Sequence, residues 1–124
     1  MGRKATELNN EIRLAVSKAF PGVVTLWPAH VLVAWVCDER GEHPIQAGKT
    51  GGGDLSGIAV IDHGGRKFGV RLEIETKTKN DRNRETQIRF RRTVEQYHGI
   101  YIVGRVPEHV IAMLEKHLGI PRKA

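Results

Sequence analysis

The stretch from Gly51 to Lys77 constrains this chain most, because it reads as two strands folded back on one another. Phe68, Val70, Leu72 and Ile74 alternate with Gly69, Arg71, Glu73 and Glu75, and a period of two sends the two sets to opposite faces of a sheet. The run Leu55 to Ile61 is the partner strand. It is joined to the first by Asp62-His63-Gly64-Gly65-Arg66, whose glycines take the positive φ that tight hairpins require. Pairing across this turn sets Ile61 roughly opposite Lys67 and Asp54 or Leu55 near residues 73 to 75. The hairpin therefore brings Asp54 beside Glu75, with Lys77 on the face of Glu75.

Those three side chains suggest a chemistry. Adjacent carboxylates at the end of a sheet repel unless a cation joins them, and hard oxygen ligands suit Mg²⁺, with Mn²⁺ as a substitute. An amine two residues along the same face can hold an attacking water or offset charge on a phosphate in its transition state. Taken singly, Glu-x-Lys is more often a solvated strand pattern and Gly-Gly-Gly-Asp more often a plain loop. Joined at this spacing across one hairpin, they point to metal-dependent phosphodiester hydrolysis.

Size and composition narrow the setting. With 124 residues the chain builds one domain, residues 1 to 124. A net charge of +6 favours a polyanionic partner, since neutralising phosphates with Lys and Arg releases counterions. The single Cys37 excludes an internal disulfide and has no partners at zinc-ligand spacing, so it reads as a small buried hydrophobe on a strand. The six histidines are scattered and read as structural or surface groups. No apolar run approaches the ~20 residues of a membrane span, and the N-terminus lacks a signal-peptide core. A cytoplasmic protein with no membrane partner is expected.

Taken in order, residues 5 to 20 form an amphipathic helix, with Thr6 as N-cap and Leu8, Ile12, Ala15, Val16 and Ala19 at helical spacing before Pro21-Gly22. Glu11 borders the apolar stripe and is a candidate third metal ligand, with Glu7 one turn away as the alternative and an exposed Glu11 as the plain reading. Residues 23 to 37 are β-prone, interrupted by Pro28; the strand expected is His30 to Cys37, preceded by a short extended piece around Val24 to Trp27. Trp27 and Trp35 read as core. Residues 38 to 53 read as a polar loop bearing Lys49. Asn83 caps a helix running to about His98 and ended by Gly99, with Gln87, Phe90, Val94 and Tyr97 on one stripe. Gln87 is then an inward polar group that needs a partner. Ile100 to Val106 is a short buried strand, parallel to the strand bearing Glu75 because a helix joins them. Pro107 opens a last helix that stops at Gly119 and Pro121. The fold class is α/β, a mixed central sheet in the order α-β-β-β-α-β-α.

Gly53-Asp54-Leu55, Glu75-Thr76-Lys77, Gln87 early in the next helix and Gly99-Ile100-Tyr101-Ile102-Val103 together resemble the PD-(D/E)xK nuclease superfamily. Within it they look like the stand-alone virus-type replication and repair nucleases (VRR-NUC) and the archaeal-type Holliday junction resolvases. The resemblance spans residues 7 to 105. It implies a restriction-endonuclease-like core and a homodimeric, Mg²⁺-dependent endonuclease that cuts branched DNA such as a four-way junction symmetrically. It assigns Asp54, Glu75 and the carbonyl of Thr76 as metal ligands, Lys77 to the attacking water, Gln87 to support of the site, and Glu11 as the N-terminal helix carboxylate. Phosphate contacts fall to Lys49, Lys79, Arg82, Arg84, Arg89, Arg91 and Arg92. The sequence departs in placing Gly53 where a Pro often precedes the Asp, and in adding Glu73 on the face of Glu75. A nicking or restriction-like endonuclease and a non-catalytic DNA-binding module are the alternatives.

Overall fold

In the computed structural model, residues 5–29, 32–47, 54–77 and 85–123 are described. The chain is a mixed α/β domain with three helices, a four-stranded mixed sheet and a separate two-stranded hairpin among these residues.

Helix α1 (Ala5–Ala19) is followed by β1 (Val24–Pro28), β2 (Leu32–Asp38) and β3 (Gly41–Ala47). Then come β4 (Leu55–His63), β5 (Arg66–Thr76), α2 (Glu85–Gln96), β6 (Ile100–Gly104) and α3 (Pro107–Leu118). The main sheet runs β1-β4-β5-β6. The β4–β5 hairpin is its centre and is longer than the alternation alone marked out. Gly64 and Gly65, at φ +60° and +81°, make a two-residue turn, so His63 pairs with Arg66 and Ile61 with Phe68, one residue from the expected register. At the far end Leu55 pairs with Ile74, as the spacing required. The helical crossover makes β6 parallel to β5, with Glu73 beside Tyr101 and Glu75 beside Val103.

The strands before β4 differ from expectation. The expected short piece, β1, joins the main sheet on β4, whereas β2, within the run expected to be the strand, pairs only with β3 among the described strands. The expected loop 38–53 contains β3. Its turn is set by Gly41 at φ +88° and by the Asp38 carboxylate, which accepts a hydrogen bond from the Arg40 backbone N–H at 2.8 Å. Cys37, expected to be buried, is exposed on this hairpin. Thr6 lies within the first turn of α1 rather than at its cap. Asn83, the expected cap of the next helix, lies outside the described residues.

Two layers of side chains hold the sheet. Leu8, Ile12 and Val16 of α1, with Val110, Ile111 and Leu114 of α3, bury one face made by Leu55, Ala59, Leu72, Ile74, Ile100 and Ile102. On the other face Phe90 and Val94 of α2 pack on Tyr101 and Val103, so α2 covers the β5–β6 half. The β1–β4 half stays open. Trp27, paired with Ser56, is therefore 45% exposed instead of core, and with Ile58 it borders a cavity of ≈490 Å³. Tyr97, assigned to the buried stripe of α2, follows the helix end and is exposed. Its neighbour His98 carries the left-handed φ of +66°, while Gly99 is required for a different reason: a Cβ there would lie 2.8 Å from Val94 Cγ1.

A similar close approach fixes β1 on β4. A Cβ on Gly57 would sit 2.1 Å from the Thr25 carbonyl oxygen, and backbone cannot yield as a side-chain tip can. Gly57→Ala is expected to lower unfolding free energy by about 2–3 kcal/mol, as overpacking of a buried contact does. Urea denaturation checks this, and an unchanged midpoint would show that β1 is not held against β4.

Candidate active site

The site is built where β4 begins and β5 ends. Asp54 precedes β4, and its backbone carbonyl accepts a hydrogen bond from the Ala29 N–H at 3.0 Å, which ties it to the end of β1. Its carboxylate crosses to β5: Oδ2 accepts hydrogen bonds from the Thr76 backbone N–H at 2.7 Å and the Thr76 hydroxyl at 3.0 Å. That N–H belongs to the peptide joining Glu75 to Thr76, so the Asp54 carboxylate lies against the backbone of the residue next to Glu75. Among the described residues no hydrogen bond reaches Oδ1.

Glu75 and Lys77 project from β5 toward the α2 side. Lys77 lies beyond the last residue of the strand, but its N–H donates to the Gly104 carbonyl at 2.9 Å and so continues the ladder with β6. The period of two is thereby kept, and Glu75 and Lys77 share a face. Both are buried, at 2% and 4% exposure. The Lys77 ammonium stands 3.2 Å from Glu75 Oε2 and donates to Gln87 Oε1 at 3.2 Å. Gln87, on the first turn of α2, thus has the polar partner that its inward position demanded.

Glu75 Oε1 accepts a hydrogen bond from the Tyr101 hydroxyl at 2.9 Å. Oε2, though it faces the ammonium, accepts no hydrogen bond among the described residues. Its charge is met instead by the Lys77 ammonium 3.2 Å away. Burial, and then the bond to Glu75, raise the pKa of Tyr101 far above the ordinary phenol value, so it stays a neutral donor. The Tyr101 ring meets Phe90 edge to face at 6.2 Å, and the Arg91 guanidinium lies 5.8 Å from its centroid. Glu75, Gln87, Ile88, Arg91, Tyr101 and Val103 line a cavity of ≈30 Å³, enough for a group the size of a water.

The expected site residues divide into three groups. Across the hairpin Asp54 is bonded to Thr76, and next to it Glu75 and Lys77 meet Gln87 of α2. Glu11 is half-buried on α1 and does not join Asp54 and Glu75 in a group of three metal-ligating side chains; no such group occurs among the described residues. Of the expected phosphate contacts, Lys49, Lys79, Arg82 and Arg84 lie outside the described residues. Arg89, Arg91 and Arg92 are exposed on α2, with Arg89 paired to Glu85 and Arg91 to Glu95 across one helical turn. Exposed pairs of that kind are worth roughly 0–1 kcal/mol.

Glu73, the extra carboxylate on this face, is committed elsewhere. It is buried and accepts hydrogen bonds from the Ser56 hydroxyl at 3.0 Å and from Arg71 Nε at 2.9 Å. The sequence reading missed Tyr101 as a member of the site. Its signal was a tyrosine in a buried strand, whose hydroxyl needs an acceptor; the parallel register with β5 supplies Glu75. The chain matches no protein-family model, no curated protein and no solved structure at a significant level.

Proposed function

We propose that this chain is a metal-dependent endodeoxyribonuclease of the PD-(D/E)xK kind, with a restriction-endonuclease-like core, acting on branched DNA as a homodimer. The observation that carries the reading is the buried Glu75–Lys77 pair with half-buried Gln87 upon it, beside which Asp54 is bonded to Thr76. Burying a carboxylate and an ammonium costs several kcal/mol per ion before their attraction is counted, and packing alone gives no reason to place them at a strand end.

The donor set fits a small hard cation. Asp54 and Glu75 offer carboxylate oxygens, Glu75 Oε2 accepts no hydrogen bond among the described residues, and two acidic side chains match Mg²⁺, which keeps part of its water shell and is held by few protein ligands. Asp54, Glu75 and the Thr76 carbonyl would hold it. Once bound, such an ion supplies Lewis acidity toward the phosphate and its attacking and leaving oxygens.

The protein's own groups do the rest. Lys77 holds the attacking water through its ammonium, and Gln87 fixes the direction of that ammonium from α2. Asp54 locks the Glu75–Thr76 peptide, so that the two carboxylates keep a constant separation while the substrate changes shape. Arg89, Arg91 and Arg92 take flanking phosphates, which position the strand without reading its sequence. Paired cuts on a branched substrate require two such sites related by twofold symmetry, which one small chain supplies by dimerising.

The experiment is incubation of the purified protein with a labelled immobile four-way junction and with linear duplex of the same sequence, with and without Mg²⁺. Cleavage of the junction in Mg²⁺ alone, faster than of the duplex, is the expected result. Equal rates on the two substrates would remove the junction preference, and DNA binding without any Mg²⁺-dependent product would leave a binding module.

A further inference from the structure

The geometry points to Tyr101 as a positioning residue: its hydroxyl fixes Glu75 by Oε1 so that Oε2 is presented to a divalent cation. The inference rests on the proposed nuclease reading and adds a residue to it. Three observations carry it. The Tyr101 hydroxyl donates to Oε1 at 2.9 Å, whereas Oε2 of the same carboxylate is buried, accepts no hydrogen bond among the described residues and faces the Lys77 ammonium at 3.2 Å. The two oxygens are therefore differentiated. Next, the phenol is itself fixed, buried on β6 with Phe90 meeting its ring edge to face and Arg91 beside it. Finally, Glu75, Gln87 and Tyr101 border the same small cavity of ≈30 Å³, so there is room of about one water beside the carboxylate.

A carboxylate free to rotate about its last torsion, which is broad and shallow, would spread Oε1 and Oε2 over many orientations. The phenol on Oε1, acting with the Lys77 ammonium beside Oε2, removes that freedom before a cation arrives. Outer partners of this kind orient metal ligands, and their loss typically costs roughly 10- to 100-fold in metal affinity.

The test uses Mn²⁺ alone as the probe, counted as free ion by electron paramagnetic resonance, on the wild-type chain, Tyr101→Phe and Asp54→Asn. Wild type is expected to bind Mn²⁺, and Tyr101→Phe to bind it roughly 10-fold or more weakly. Equal affinity in wild type and Tyr101→Phe would overturn the positioning role and leave the nuclease reading intact. Absence of Mn²⁺ binding by wild type would overturn that reading and the inference with it. Because Tyr101→Phe can fail to fold, wild-type protein labelled with 3-fluorotyrosine gives an independent measurement. The chain has two tyrosines, and Tyr97, 77% exposed, is the internal control. On adding Mg²⁺ the ¹⁹F resonance of Tyr101 is expected to shift and that of Tyr97 to stay. A Tyr101 resonance unmoved by Mg²⁺ at concentrations that saturate the Mn²⁺ site in competition would overturn the proposal.

Discussion

A Lys77→Met variant is expected to lose about 3–5 kcal/mol of unfolding free energy and all Mg²⁺-dependent cleavage, while Glu75→Gln combined with Lys77→Met regains most of the stability and none of the activity. The first half follows from burial. Lys77 and Glu75 are 4% and 2% exposed and stand 3.2 Å apart, so removing the ammonium leaves a carboxylate in the interior without its counter-charge. The second half follows because the pair is not worth much as a pair. When both charges go, the two desolvation penalties go with them, and replacement by neutral groups of similar shape is often neutral or stabilising. Glutamine keeps an acceptor for the Tyr101 hydroxyl, so that bond need not be lost. Urea denaturation of the four members of the cycle reads the result. If Lys77→Met alone is as stable as wild type, the ammonium does not neutralise Glu75 in the folded protein. Activity separates the structural role of Lys77 from the proposed one: the double variant is expected to fold yet lacks the group proposed to hold the attacking water.

The other large effect concerns the cation. At a Mn²⁺ concentration about 100 times the dissociation constant of the proposed site, wild type should gain about 2.7 kcal/mol, as expected for an ion that binds only the folded chain. Asp54→Asn should abolish that gain. The amide oxygen of asparagine can still accept from the Thr76 N–H and hydroxyl that now meet Oδ2 at 2.7 and 3.0 Å. The metal-free stability is therefore expected to fall by only about 1 kcal/mol. Thermal unfolding of both proteins with and without Mn²⁺ gives the comparison. An equal gain in the two would mean that Asp54 holds the hairpin end to β5 and takes no part in binding the ion.

Local patterns carried much of the site. Alternation from Phe68 to Glu75 and the Gly64-Gly65 turn were enough to bring Asp54 to residues 74–76, since both strands are continuous through one tight turn. Pro107 and Gly119 bounded α3 for the same reason; Gly119 takes φ +68° and closes the helix on the Glu115 carbonyl. The need of an inward Gln87 for a partner was likewise legible, though which group would meet it was not.

Non-local choices were decided by tertiary packing. Residues 23 to 37 are β-prone throughout, and nothing in their period says which part pairs with β4. The answer is Val24–Pro28, where Gly57 lets the Thr25 backbone approach closely. Trp27 reads as core by composition, yet it is half exposed because α2 spans only the β5–β6 half of its face. The sequence by itself determined the central hairpin, the end helix and the meeting of Asp54 with the Glu75 segment, because each is set by periodicity and turns within a short span of chain. Only the tertiary structure decided that Tyr101 holds Glu75, that Arg71 and Ser56 hold Glu73, and which strand borders β4, because these depend on which distant faces are buried together.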